Sequence, residues 1–180
     1  MRTLATPLFA TALLLAACAG DTPLATEPGQ SGVATAGPVS AVQAATPLRG
    51  GCELTVTPLP STPPIIRQTD TGTCHLSHLG RVAYEGVLEI NVATGMQTGE
   101  RTLTAANGDE LRMSVVGTSA PAGPGLVSFA ATLTIEGGTG RFADATGTAT
   151  GEGIANLMTQ QTSVTIDGEI VYGASERRGR

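Results

Sequence analysis

The stretch "SFAATLTIEGGTGRFADATG", Ser128–Gly147, runs from a strand-like pattern into a glycine cluster. In its first half Phe129, Ala131, Leu133 and Ile135 alternate with Ser128, Ala130, Thr132, Thr134 and Glu136, the period of a strand with one buried face. Gly138, Gly140 and Ala143 then fall at the G-x-G-x-x-A spacing of phosphate-gripping loops. Such a loop needs a long helix behind it, whose N-terminal amides hold the phosphate, and a parallel sheet around it. Only Arg141 to Thr146 has room to be helical before Gly147, and "TGTATGEG" returns to extended chain; lysine is missing altogether. The stretch therefore reads as a strand, a tight turn built on Gly137, Gly138, Gly140 and Gly147, and one helical turn that sets Phe142 as a plug over a barrel mouth.

The same alternation extends in both directions. "RVAYEGVLEI" offers Val82, Tyr84, Leu88 and Ile90 against Arg81, Glu85 and Glu89; "SVTIDGEIVY" offers Val164, Ile166, Ile170 and Tyr172 against Ser163, Thr165, Asp167 and Glu169. Shorter versions occur at "CELTV" and "ELRMSV". Turn signals separate the runs, among them Asn107-Gly108, which suits a type I′ hairpin. Strands are predicted near 52–57, 65–74, 80–91, 98–106, 109–118, 126–136, 146–157 and 162–172. The fold class is all-β. Eight meandering antiparallel strands close into a barrel and remove their edges, with a two-sheet β-sandwich as the alternative.

The 180 residues include 24 Gly and 11 Pro with 3% aromatics, a composition of short strands and turns rather than long helices. The formal net charge of −5 repels nucleic acid, so no nucleic-acid partner is expected. "MRTLATPLFATALLLAACAGD" at the start has one Arg, an apolar core from Leu8 to Ala17 and small residues around a cysteine, and it reads as a signal peptide, too short for a permanent span. Leu15, Ala16, Ala17 and Cys18 resemble the lipobox of bacterial lipoproteins. That resemblance implies cleavage after residue 17 and diacylglycerol on the Cys18 thiol, with the lipid bilayer as partner; ordinary secretion is the alternative, since Ala17, Cys18 and Ala19 also form an A-x-A site. Ala19 in place of Asp favours an outer membrane if the organism has one. Residues 18–49, rich in Pro, Gly, Thr, Ser and Ala, read as a disordered tether with a reach of about 30 Å, and residues 50–180 as the barrel domain.

Cys52 and Cys74 form an even pair in an exported chain and are predicted to make a disulfide. His75 and His78, three apart, point to opposite faces of a strand, so no metal site is expected there, and no cofactor elsewhere. The tail arginines Arg177, Arg178 and Arg180 read as a solvated cluster.

Gly137, Gly138, Thr139, Gly140, Phe142, Ala145 and Gly147 resemble the GGTG-x-F-x-x-A-x-G segment of the dirigent and allene-oxide-cyclase-like barrels. The resemblance implies an eight-stranded antiparallel barrel with a central cavity, in which polar groups assist reactions of apolar or phenolic molecules. The apolar faces supply no carboxylate, histidine or arginine to that cavity, so no catalytic residue is assigned, and Tyr84 and Tyr172 are taken as wall residues. The predicted ligand contacts are Tyr84, Leu88, Met113, Phe129, Leu133 and Tyr172. Three functions follow as expectations: an envelope module that binds a small apolar ligand or a partner without catalysis, a dirigent-like or cyclase-like enzyme, or a structural protein with a filled barrel.

Overall fold

Alternating apolar and polar residues cannot hide one face as a single flat sheet, and here the chain hides it by rolling up. The structure, a computed structural model, describes residues 44–173. Eight strands, β1 Thr46–Thr62, β2 Ile65–Leu76, β3 Gly80–Asn91, β4 Met96–Thr104, β5 Glu110–Gly123, β6 Leu126–Gly138, β7 Thr146–Asn156 and β8 Gln161–Val171, form a closed antiparallel barrel in sequence order. Closure comes from β1 pairing with β8, from Thr46↔Ile170 to Thr55↔Gln161. Every strand finds both neighbours inside the barrel. All eight strands lie within the compact unit Ser40–Arg180, which therefore contains every pairing that the barrel needs to fold. The signal peptide, Cys18, most of the tether and the tail arginines lie outside the described residues.

The barrel begins earlier than its composition suggests. The tether was expected to run to Arg49, but Thr46–Arg49 is the first part of β1, hydrogen-bonded to β8 with Leu48 fully buried. A single Leu among Pro, Thr and Ala carries little compositional weight, yet one buried Leu and a row of backbone bonds are enough to hold a strand end. The Asn107-Gly108 hairpin also differs. Gly108 alone takes a positive φ of 86°, and its N–H bonds to Ala105 O at 2.9 Å, a type I turn followed by a left-handed glycine. Asn107 instead spends its side chain on Asp109, donating from Nδ2 to Oδ2 at 2.8 Å.

The interior divides into two poles. Towards the β2–β3, β4–β5 and β6–β7 turns the lumen is filled, by Leu48, Leu76, Leu111, Ile135, Phe142 and Ile170 among others. A one-turn 3-10 helix, Gly140–Phe142, carries Phe142 into this pole, where its ring is fully buried and stacks on Tyr172 with centroids 6.0 Å apart. Both Thr46 and Val171, the outer ends of β1 and β8, emerge at this same pole. The Cys52–Cys74 disulfide joins directly opposed residues of β1 and β2 and is buried against the same core.

The glycine stretch works as a clasp on the β4–β5 turn. Thr139 N–H donates to Glu110 O at 2.8 Å, Glu110 N–H donates to Thr139 Oγ1 at 2.9 Å, and Arg141 N–H donates to Asp109 Oδ2 at 3.2 Å. Gly140, at φ 53°, takes the left-handed conformation that favours glycine, and a Cβ there would displace the Asp109 carboxylate. The anion gripped by this loop is the protein's own Asp109, whose carboxyl these hydrogen bonds, Asn107's first, hold below its usual range. Outside, the barrel is polar, with exposed ion pairs Arg49–Asp167 and Arg67–Glu89. That is the reverse of a membrane-spanning barrel, whose outer belt is apolar.

Candidate functional site

Beyond the filled pole the strands enclose a cavity of about 520 Å³ that opens between the β1–β2, β3–β4, β5–β6 and β7–β8 turns. Its volume lies within the roughly 300–1,000 Å³ typical of small-molecule sites. Most of the wall is apolar: Leu54, Leu88, Ile90, Met113, Val115, Phe129, Leu133, Val164 and Ile166 all line it. The small residues of β7 act unevenly. Gly151 leaves open space, with nothing nearer than 3.5 Å to the place of a Cβ, whereas Gly153 is covered by the Phe129 ring, 2.7 Å from such an atom.

One corner is polar, and it overturns the expectation of an uncharged lumen. Asp70 of β2 and Arg101 of β4 both point inward, 6% and 5% exposed, with Arg101 Nη2 donating to Asp70 Oδ2 at 3.2 Å. Between them runs β3, and the residue it places in register with both is Gly86. A side chain there would collide with Arg101, since a Cβ would lie 2.4 Å from Arg101 Cδ. Glycine thus leaves the groove along which the guanidinium crosses a whole strand to reach its carboxylate.

The pair is well supplied with partners. Arg101 Nη1 donates to Val87 O at 2.8 Å and Glu100 O at 3.0 Å, and Gln68 Nε2 donates to Asp70 Oδ1 at 2.8 Å. Burial pushes the Asp70 carboxyl above its ordinary value, and Arg101 and Gln68 offset only part of that rise. Tyr84, two residues before Gly86, sits with its ring 5.7 Å from the Arg101 guanidinium carbon. Desolvation pushes its phenol up to about 12, Arg101 opposing and the Asp70 charge adding to it, so Tyr84 stays a proton donor at physiological pH. Gln97 and Thr162 also line the cavity, with Ser61, Arg67, Ser119, Asn156 and Gln160 nearer its mouth, and the buried Thr162 hydroxyl has no hydrogen-bond partner among the described residues.

Of the predicted ligand contacts, Tyr84, Leu88, Met113, Phe129 and Leu133 line this cavity together. Tyr172 does not; it lies at the filled pole against Phe142. The reason is topological: β8 ends at Val171 beside the plug, so Tyr172, of the same parity as Ile166 and Ile170, packs among the residues that fill that pole instead of facing the cavity. His75 is exposed on β2, and His78 sits in the β2–β3 turn at φ 62°.

The missed residues Gln68, Asp70, Gln97 and Arg101 carried a readable signal. Ile66, Gln68, Asp70, Gly72, Cys74 and Leu76 share one parity, and the apolar Ile66, Cys74 and Leu76 mark that parity as the inner face. Likewise Arg101 shares its face with Leu103. Comparison of the chain with protein-family models, with curated proteins and with solved structures finds no match in any of the three. None of the three bears on the resemblance of the glycine segment to dirigent and allene-oxide-cyclase-like proteins.

Proposed function

We propose that the barrel is a non-catalytic binding module of the bacterial cell envelope, which takes up a small, largely apolar molecule carrying one polar group. The cavity is the single observation that carries this reading. An apolar body fits the Leu54–Leu133–Val164 wall, and a hydroxyl or carbonyl suits Thr162, whose buried hydroxyl gains from a partner, with Tyr84 and Gln97 on the same wall. The polar corner adds no net charge, because Asp70 and Arg101 neutralise each other, so a neutral ligand suits it better than an ion.

A second reading, a dirigent-like or cyclase-like enzyme, is favoured by that same corner, which holds a carboxyl of raised pKa beside a phenol. Against it stands the engagement of both Asp70 oxygens, one by Gln68 and one by Arg101, which leaves no free base aimed at the cavity. Native mass spectrometry of the chain purified from its own host tests binding: a retained small molecule supports it, and an empty barrel argues against it. If the retained molecule is converted on incubation, and Asp70→Asn or Tyr84→Phe stops the conversion but not the retention, the enzyme reading replaces the first. The envelope assignment rests on the leader and on Cys18. Fatty-acid labelling that persists in Cys18→Ser removes the lipid anchor from this account.

A further inference from the structure

The open pole differs chemically from the rest of the barrel. Between Glu53 and Arg67, Glu89 and Glu100, Arg112 and Glu136, and Glu152 and Asp167, the sequence contains no Asp, Glu, Lys, Arg or His. These four segments are the mouth hairpins with the adjoining parts of the strands. The turns of the filled pole, by contrast, carry His78, Asp109, Arg141 and Asp144.

The mouth is also a tied ring. Val92 N–H donates to Pro64 O, Ser119 N–H to Gly95 O, Leu157 N–H to Gly125 O and Val56 N–H to Gln160 O, each at 2.8 Å, so each hairpin is bonded to the next around the opening. From this collar Ile65, Val92, Met96, Leu157 and Met158 stand out into solvent, with Met158 83% and Leu157 63% exposed. An acidic chain that leaves one pole neutral and studs it with aliphatic and thioether side chains has a surface suited to a low-dielectric partner.

We propose that this collar docks on the interface of a lipid bilayer, with the cavity mouth turned towards the lipid. A fluid bilayer fits the geometry better than a protein does. The apolar residues form a ring around an opening rather than a continuous patch, and the tips carry none of the aromatic or arginine anchors that dominate protein interfaces. Neutral tips enter the headgroup region without desolvating a charge, and five short apolar side chains give reversible attachment rather than insertion. The docked barrel would exchange an apolar ligand with the membrane without passing it through water. The docking itself does not depend on what the cavity holds.

The test uses the compact unit Ser40–Arg180, which lacks the leader and Cys18, in flotation with phosphatidylcholine vesicles. Co-flotation that is unchanged between low and high salt, and reduced at least about tenfold by Met158→Asp together with Leu157→Asp, supports the proposal. These side chains are exposed, so the variants keep the fold, which circular dichroism checks. In Val92→Trp, the added fluorophore should shift to the blue on mixing with vesicles. Absence of flotation overturns the proposal, as does flotation only on anionic phosphatidylglycerol vesicles and abolished by salt, which marks the Arg177–Arg180 tail as the attachment. A dimer without vesicles that the two Asp substitutions dissociate overturns it in favour of a second copy of this chain.

Discussion

At the scale of single residues, Gly86 is the position on which the polar corner turns, since any side chain there would close the path that Arg101 takes to Asp70. The buried pair is worth little as a whole and much when halved. Arg101→Met leaves the Asp70 carboxylate in the wall without its cation and should cost about 3–5 kcal/mol at neutral pH, read from urea unfolding. The cost has a defined pH dependence. Burial already raises the folded pKa of Asp70 above its unfolded value of 3.8, so the fold gains relative stability below that value and loses it as pH climbs through the folded pKa. Without Arg101 the folded pKa climbs further, so the penalty of Arg101→Met should shrink as pH falls from 7 towards 4; a penalty that grows instead would show that Asp70 is not the responsible group. Asp70→Leu with Arg101→Met, by contrast, should be close to neutral or stabilising.

At the scale of the element, strands differ in how openly they declare their inner face. In β3, β6 and β8 one parity is mainly apolar and the other mainly polar or charged, so their membership of a barrel was legible from the sequence. The inner faces of β2 and β4 mix Gln, Asp, Gly and Arg with Cys and Leu, and they conceal the polar corner because burial there is made tolerable by pairing across strands rather than by apolarity. Pairing between β2 and β4 depends on the register of three strands, which no single segment encodes. The end of β1 was missed for a similar reason, as the partner that orders Thr46–Arg49 is β8, more than a hundred residues away. The disulfide ties β1 to β2 where their inner faces meet, across a separation of 22 residues. Replacing both Cys52 and Cys74 by Ala should lower stability by about 3 kcal/mol, through the greater freedom of the unfolded chain. The check is the urea midpoint, with the slope, which follows exposed surface, little changed.

At the scale of the whole molecule, a packed pole supports a hollow one. Phe142 and the aliphatic residues around it hold the cylinder together, and the strands beyond them are free to enclose space. Filling that space should separate stability from binding. Leu88→Trp adds bulk towards the cavity, so it should hold or raise the melting temperature while abolishing retention of the native ligand and binding of an apolar fluorescent dye. Loss of both fold and binding would mean that the wall tolerates no such bulk and that the space is less open than its volume implies. Legibility at this scale was split as well. The barrel, the plug and five of the wall residues were in the pattern of the chain, but the two poles were not, because what distinguishes them is the end of the cylinder at which each hairpin lands.

Thr46 and Val171 leave the cylinder side by side at the plugged pole. A short linker joining them would preserve every strand pairing, and new termini opened at the exposed Asn107-Gly108 hairpin would yield a circular permutant of unaltered register. By the same geometry, a sensor surface or fusion partner attached through either native strand end sits at the far side from the opening.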